Sequence, residues 1–118
     1  MSVTVFGLKN CDSCRKAMRE LADASIGHHF FDIRSDGLTH QHVSGWVAAH
    51  GVDAVLNKRS TTWRNLPDIL KQDTDTEHGA ISLMAQHPTL IKRPVIEVEG
   101  KTLIGWSVKT KKALGISA

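Results

Sequence analysis

The longest uninterrupted apolar run in the sequence is Trp46-Val47-Ala48-Ala49, far short of the roughly 20 residues that cross a bilayer. A transmembrane helix is excluded. The first residues, Met1 to Gly7, read as a strand rather than a charged stretch followed by an apolar one, so no secretory signal is expected and the expected location is cytoplasmic. Cysteine is scarce, with only Cys11 and Cys14 present. A disulfide scaffold needs more, so the pair raises the question of redox chemistry or metal binding instead. Repeats, low-complexity tracts and long linkers are also absent. The charge balance is only mildly basic, with a formal charge of +3 and a pI near 9.1, which assists anion binding but gives no ground for direct nucleic-acid binding. Lys109, Lys111 and Lys112, the acidic stretch Asp73, Asp75 and Glu77, and Lys92-Arg93 read first as solvated surface. What remains is a chain of 118 residues, 41% hydrophobic and 23% charged. It has the composition of one ordinary globular domain, 1–118, able to build a core without a metal or disulfide staple.

Val3 to Phe6 is a short β-branched and apolar run closed by Gly7, and reads as a strand. From Asp12 or Ser13 to about Ala24, Cys14, Ala17, Met18, Leu21 and Ala22 recur at helical spacing, with Arg15, Lys16, Arg19 and Glu20 on the polar side. Gly27 ends that helix and His28 to Ile33 reads as a second strand. Such a βαβ unit predicts a right-handed crossover with the two strands parallel. A helical block, about residues 37–90, follows. Thr39 is positioned to cap a helix through His50 that Gly51 stops, Asp53 to Asn57 reads as one further turn, and Thr76 caps a helix that ends at Pro88. Between them, Lys58 to Pro67 reads as polar and irregular, anchored by Trp63. Beyond Arg93-Pro94, Val95 to Val98 and Thr102 to Trp106 read as an antiparallel hairpin around a three-residue loop, Glu99-Gly100-Lys101. Ser107 then caps a last helix, Val108 to Leu114, stopped by Gly115. The expected class is α/β, with a four-stranded mixed sheet and a helical insertion between βαβ and ββα halves.

Cys11-Asp12-Ser13-Cys14 falls where the first strand turns into the first helix. A thiol at a helix N-terminus meets unpaired backbone N–H groups and the positive end of the dipole, both of which favour thiolate. Lys9, Arg15 and Lys16 push the same way and Asp12 opposes them. Cys11, ahead of the helix, is the expected nucleophile. Cys14 has two readings: a resolving thiol for a mixed disulfide, or a small hydrophobe on the stripe with Met18 and Leu21. A zinc site needs four ligands, and no second cysteine pair or H-x₃₋₅-H motif accompanies the first; His40 and His42 read as surface.

The segments G-L-K-N-C-D-S-C-R-K-A around Cys11, L-N-K-R-S-T-T-W at 56–63 and Q-H-P-T-L-I-K-R-P-V-I at 86–96 resemble the arsenate reductase/Spx family, most closely its small, YffB-like branch. The resemblance runs in order from about Val3 to Trp106. It implies a thioredoxin-like fold, with the X–Pro bond at Arg93–Pro94 cis beside the active thiol, so that backbone groups point at bound substrate. It also implies Cys11 as nucleophile and Arg93 as oxyanion-binding arginine, whose planar fork suits arsenate or a glutathione carboxylate. The reductases of this family bring three arginines to the site. Here Asn57 stands where one is expected, with Arg59 two positions on, and Gly105 stands where the third would be. The function so implied is a glutathione-dependent thiol oxidoreductase, with glutathione as cosubstrate and no bound cofactor or metal. Its catalytic residues are Cys11, Cys14 and Arg93, and its binding residues are Lys9, Asn10, Arg59, Arg93 and Pro94. The oxidised partner is a small oxyanion or a protein mixed disulfide. The alternative is a redox-switched regulator like Spx, whose members bind RNA polymerase and share the Cys-x-x-Cys turn.

Overall fold

A computed structural model describes residues 2–116, so Met1, Ser117 and Ala118 of the expected 1–118 span lie outside it. The elements follow in the order β1 (Val3–Gly7), α1 (Asp12–Asp23), β2 (His28–Asp32), α2 (His40–His50), α3 (Val52–Val55), α4 (Thr61–Asn65), α5 (Asp68–Lys71), α6 (Glu77–Gln86), β3 (Val95–Val98), β4 (Lys101–Ile104) and α7 (Val108–Ala113). Short 3₁₀ turns cover Gln72–Asp75 and Pro88–Leu90. The chain divides into two compact units, one of Met1–Ile33 with Arg93–Ala118 and one of Arg34–Lys92.

The first unit carries a sheet of order β2-β1-β3-β4. β1 runs parallel to β2 and antiparallel to β3, which pairs antiparallel with β4, so the sheet is mixed, as the βαβ and hairpin patterns predict. Alternation sorts its residues by face. Val3, Val5, Ile96 and Val98 form one buried cluster with Leu21 of α1 and Leu114 just past α7, bordered by Met18, Phe30 and Leu103. Phe6 points to the other face, its ring 4.9 Å from that of Phe31 on the neighbouring strand. Glu20 ties the elements on the helical face together: one carboxylate oxygen accepts from Trp106 Nε1 at 2.8 Å and the other meets Lys111 Nζ at 3.0 Å.

Two expectations in this unit are corrected. The hairpin loop has two residues rather than three, because Lys101 pairs with Val98 inside the ladder. Glu99 and Gly100 both take positive φ, 50° and 76°, the backbone of the primed turns whose twist matches the flanking strands. The last strand stops at Ile104 rather than Trp106, since Gly105 turns to φ 79° and its N–H donates to the Pro94 carbonyl at 2.8 Å.

The second unit is a set of short helices around a fully buried group that includes Val43, Trp46, Val47, Ala80, Leu83 and Met84. Three of its helices, α2, α4 and α6, begin on side-chain caps: Thr39 Oγ1 accepts from His42 N–H, Ser60 Oγ from Trp63 N–H and Thr76 Oγ1 from Gly79 N–H. The Thr39 and Thr76 caps match expectation. α4 does not, for 58–67 reads as irregular: a five-residue helix shows no apolar period, and Ser60 before Trp63 is its only local signal. α5 and the turn after it are likewise invisible as a pattern. Pro88, expected only to end α6, also opens the 3₁₀ turn that leads to Leu90, where its fixed φ is already suited to a first position. A short antiparallel bridge joins Leu56, just past α3, to Ile91 near the end of this unit.

Candidate active site

The turn between β1 and α1 builds the site. β1 is held on both edges by the ladder, so its end is a fixed point, and Leu8 to Asn10 carry the chain to the helix in one short turn. Cys11 is the N-cap of α1, with extended backbone (φ −98°, ψ 124°). Its N–H donates to the Leu8 carbonyl at 3.3 Å and its carbonyl accepts from Arg15 N–H at 2.9 Å, the first bond of the helix. The thiol itself makes no capping bond. The thiolate is another matter, because the Cys14 N–H, third in the helix, is positioned to donate to it where a serine or aspartate cap would accept.

Burial opposes ionisation of the half-buried Cys11, but three groups outweigh it. The Cys14 N–H, the Arg93 guanidinium and the Cys14 thiol all stabilise the negative sulfur, and Arg93 adds its charge, so the Cys11 pKa lies below that of an ordinary thiol. Cys14 goes the opposite way. Its side chain is fully buried, and burial pushes its pKa up to about 12; the Leu8 N–H favours its thiolate, while neighbouring Cys11 disfavours it. The two thiols of one turn are thus separated in acidity by their surroundings, and both are reduced.

Arg93 comes from the other end of the sequence. It precedes β3, which pairs with β1, and the Arg93–Pro94 bond is cis. Pro94 is buried, and so is Arg93 Nε. The first unit therefore gathers Cys11, Cys14, Arg93 and Pro94, with Lys9 and Asn10 exposed on the adjoining turn. The cation that acts on Cys11 is Arg93 from across the sheet. Arg15 instead pairs with Asp12 at 2.7 Å on the exposed side of α1, so these two neighbours largely cancel. Arg59 belongs to the second unit, where it is exposed and its N–H donates to Asn57 Oδ1 at 3.0 Å. Asn57 organises that turn, its carbonyl also accepting from Ser60 Oγ at 2.9 Å. Gly105 lies in the left-handed region, where a side-chain-bearing residue is disfavoured.

In the sequence Gly7 reads only as the end of a strand. A Cβ added there would collide with Cys14 Sγ. The glycine is visible in the sequence, but its partner is not, because the contact joins a strand to the inner face of the following helix.

A thioredoxin-like sheet that presents a cysteine at a helix N-terminus, opposite a cis-proline and an arginine, defines the class of protein. A model of the ArsC family matches residues 6–114, and the chain belongs to that family. An uncharacterized protein of Haemophilus influenzae is 46% identical over 111 residues, which span 94% of this chain and 96% of that protein. The solved structure of the YFFB (PA3664) protein is 36% identical, with a TM-score of 0.86 over 94% of this chain and 96% of that one. It supports placement in the small YffB-like branch. The global transcriptional regulator Spx of Staphylococcus saprophyticus is 30% identical over 108 residues, 89% of this chain and 80% of its own length. No helix among the described residues is long and apolar enough to cross a membrane.

Proposed function

We propose that the protein is a glutathione-linked thiol oxidoreductase with Cys11 as its nucleophile. The observation that carries this reading is the environment of Cys11, a helix N-cap thiol whose ionisation is favoured by a helix N–H and by Arg93 against the cost of burial. A thiolate there attacks one sulfur of a disulfide, such as oxidised glutathione. A Cys11–glutathione bond forms, the glutathione disulfide breaks, and the departing glutathione thiolate takes the electron pair and then a proton. Arg93 is suited to hold an anionic group of the incoming molecule, since its fork donates two parallel hydrogen bonds to a carboxylate. Lys9, Asn10 and the backbone beside Pro94 complete the binding surface. Arsenate needs more convergent donors than this chain supplies: Asn57 serves its own turn and Gly105 serves a backbone turn. Thiol exchange is therefore the favoured chemistry.

The experiment is intact-mass detection of the glutathione adduct after incubation with oxidised glutathione, paired with alkylation rate against pH. The adduct is expected on the wild type and lost in Cys11→Ser. Alkylation of Cys11 should reach half its maximal rate below the ordinary thiol range, while Cys14 stays unreactive through neutral pH. Glutathione-dependent arsenate turnover should be weak or absent, and robust turnover would overturn the arginine argument. If no adduct forms, the Spx-like reading, with RNA polymerase as partner, takes over.

A further inference from the structure

Cys14 Sγ lies against the last residue of β1. A Cβ built on Gly7 would collide with that sulfur and stand 3.3 Å from Cys14 Cβ. Cys14 is fully buried on the inner stripe of α1 with Ala17 and Leu21, so its sulfur is packed on the helix side as well. The backbone does not itself call for glycine at this position. Gly7 pairs with Asp32 in the ladder, its carbonyl accepts from Ile33 N–H at 3.1 Å, and it is not among the residues at positive φ. Glycine within a strand weakens it and often marks the close approach of another group. Here the approaching group is a thiol.

We propose that Gly7 is a positioning residue for the redox reaction, the Cβ it lacks being the space that holds Cys14 Sγ within reach of Cys11 as the resolving thiol. The inference rests on the reading of Cys11 as the nucleophile that becomes thiolated. Once Cys11 carries a mixed disulfide, Cys14 loses its proton and its sulfur attacks Cys11 Sγ. The Cys11–Cys14 bond forms as the bond to the bound thiol breaks, and that thiol leaves with the electron pair and is protonated. The cysteine pair is oxidised by two electrons and the original disulfide has become two thiols. Two glutathione molecules return the pair to the reduced state, leaving as oxidised glutathione.

The surroundings of the seat fit this order of events. In the resting protein Cys14 is held as a thiol by burial and by Cys11 beside it, while Leu8 N–H and Arg93 favour its thiolate. Thiolation removes the charge on Cys11. The Leu8 N–H and Arg93 then act without that opposition, so the second thiol becomes easier to ionise only after the first has reacted.

The test follows the Cys11–glutathione adduct by intact mass in wild type, Gly7→Ala, Cys14→Ala and the double variant, comparing its decay with its formation. Gly7→Ala should slow decay relative to formation by roughly tenfold or more, as expected when a reacting atom is displaced by about an ångström, and Cys14→Ala should slow it at least as much. A merely structural glycine would not change that ratio. A wild-type ratio in Gly7→Ala beside a long-lived adduct in Cys14→Ala overturns the role of Gly7 alone, whereas a wild-type ratio in Cys14→Ala overturns the resolving role and the Gly7 inference with it. If Gly7→Ala fails to fold, Gly7→Ala/Cys14→Ala decides: melting restored to that of Cys14→Ala supports the sulfur seat, and no restoration overturns it.

Discussion

The sheet-bearing unit and the helical unit of this chain are built by different means. In the first, residues distant in sequence are locked by ladder register: Val3 stands opposite Val98, and Phe6 opposite Val95, so the end of β1 and the start of β3 are placed by the same hydrogen bonds. In the second, three short helices start on local side-chain caps, and the buried group is centred on Trp46. Register fixes a position more tightly than a cap does, because a slip of one residue would turn every side chain to the wrong face. Both cysteine sulfurs and the arginine that acts on them belong to the register-held unit. Asn57 and Arg59 belong to a turn of the other unit, whose side-chain bonds stay within four residues and whose longer tie is the Asn57 N–H donated to the Leu90 carbonyl at 2.7 Å.

The strongest challenge to this contrast is Trp46→Ala. The side chain is 1% exposed, and its loss should cost about 3–5 kcal/mol, read by urea unfolding. A cost below about 1 kcal/mol would mean that the helical unit does not depend on its central anchor. Arg93→Ala tests the other unit. It should weaken glutathione binding by about 1.5–3 kcal/mol in calorimetry, the worth of a charge-assisted pair, and should raise the Cys11 pKa in alkylation profiles. Lys112→Ala, an exposed lysine of α7, is the control, and equal small effects would make Arg93 ordinary surface.

The smallest effect sharpens the account of how α1 and α7 are tied. Trp106 and Lys111 hydrogen-bond the Glu20 carboxylate and hold its pKa below the ordinary 4.5. A depressed folded-state pKa means that the stability so supplied is complete above the unfolded value and lost as pH falls through the folded one. Glu20→Gln should therefore lower the melting temperature slightly at neutral pH and flatten its fall in that acidic window. Identical acid profiles for the two proteins would show that this carboxylate contributes no pH dependence.

Where the sequence was legible, a local period or a local cap carried the signal. α1 declares itself through Cys14, Ala17 and Leu21 opposite Arg15, Lys16 and Arg19, and the caps at Thr39, Thr76 and Ser107 each precede a helix. α4 and α5 escaped because four or five residues hold barely one turn, too few to show which face is apolar. The hairpin loop was read one residue too long because Lys101 is polar, although its backbone continues the ladder.

The strands, the longer helices and the placement of Cys11 where a strand becomes a helix are legible in the amino-acid sequence, since each depends on neighbours within a few positions. The resemblance of its motifs to a known family added Arg93 as partner. Which cation meets the thiolate depends instead on the packed fold, where Arg93 reaches Cys11, while Arg15 is engaged by Asp12 one turn away on α1. The packed fold also separated the acidities of two cysteines three residues apart and revealed that Gly7 makes room for a sulfur. These outcomes turn on distance and burial across the sheet, where pairing brings residue 93 beside residue 11 and closes one thiol in the core while leaving the other at its edge.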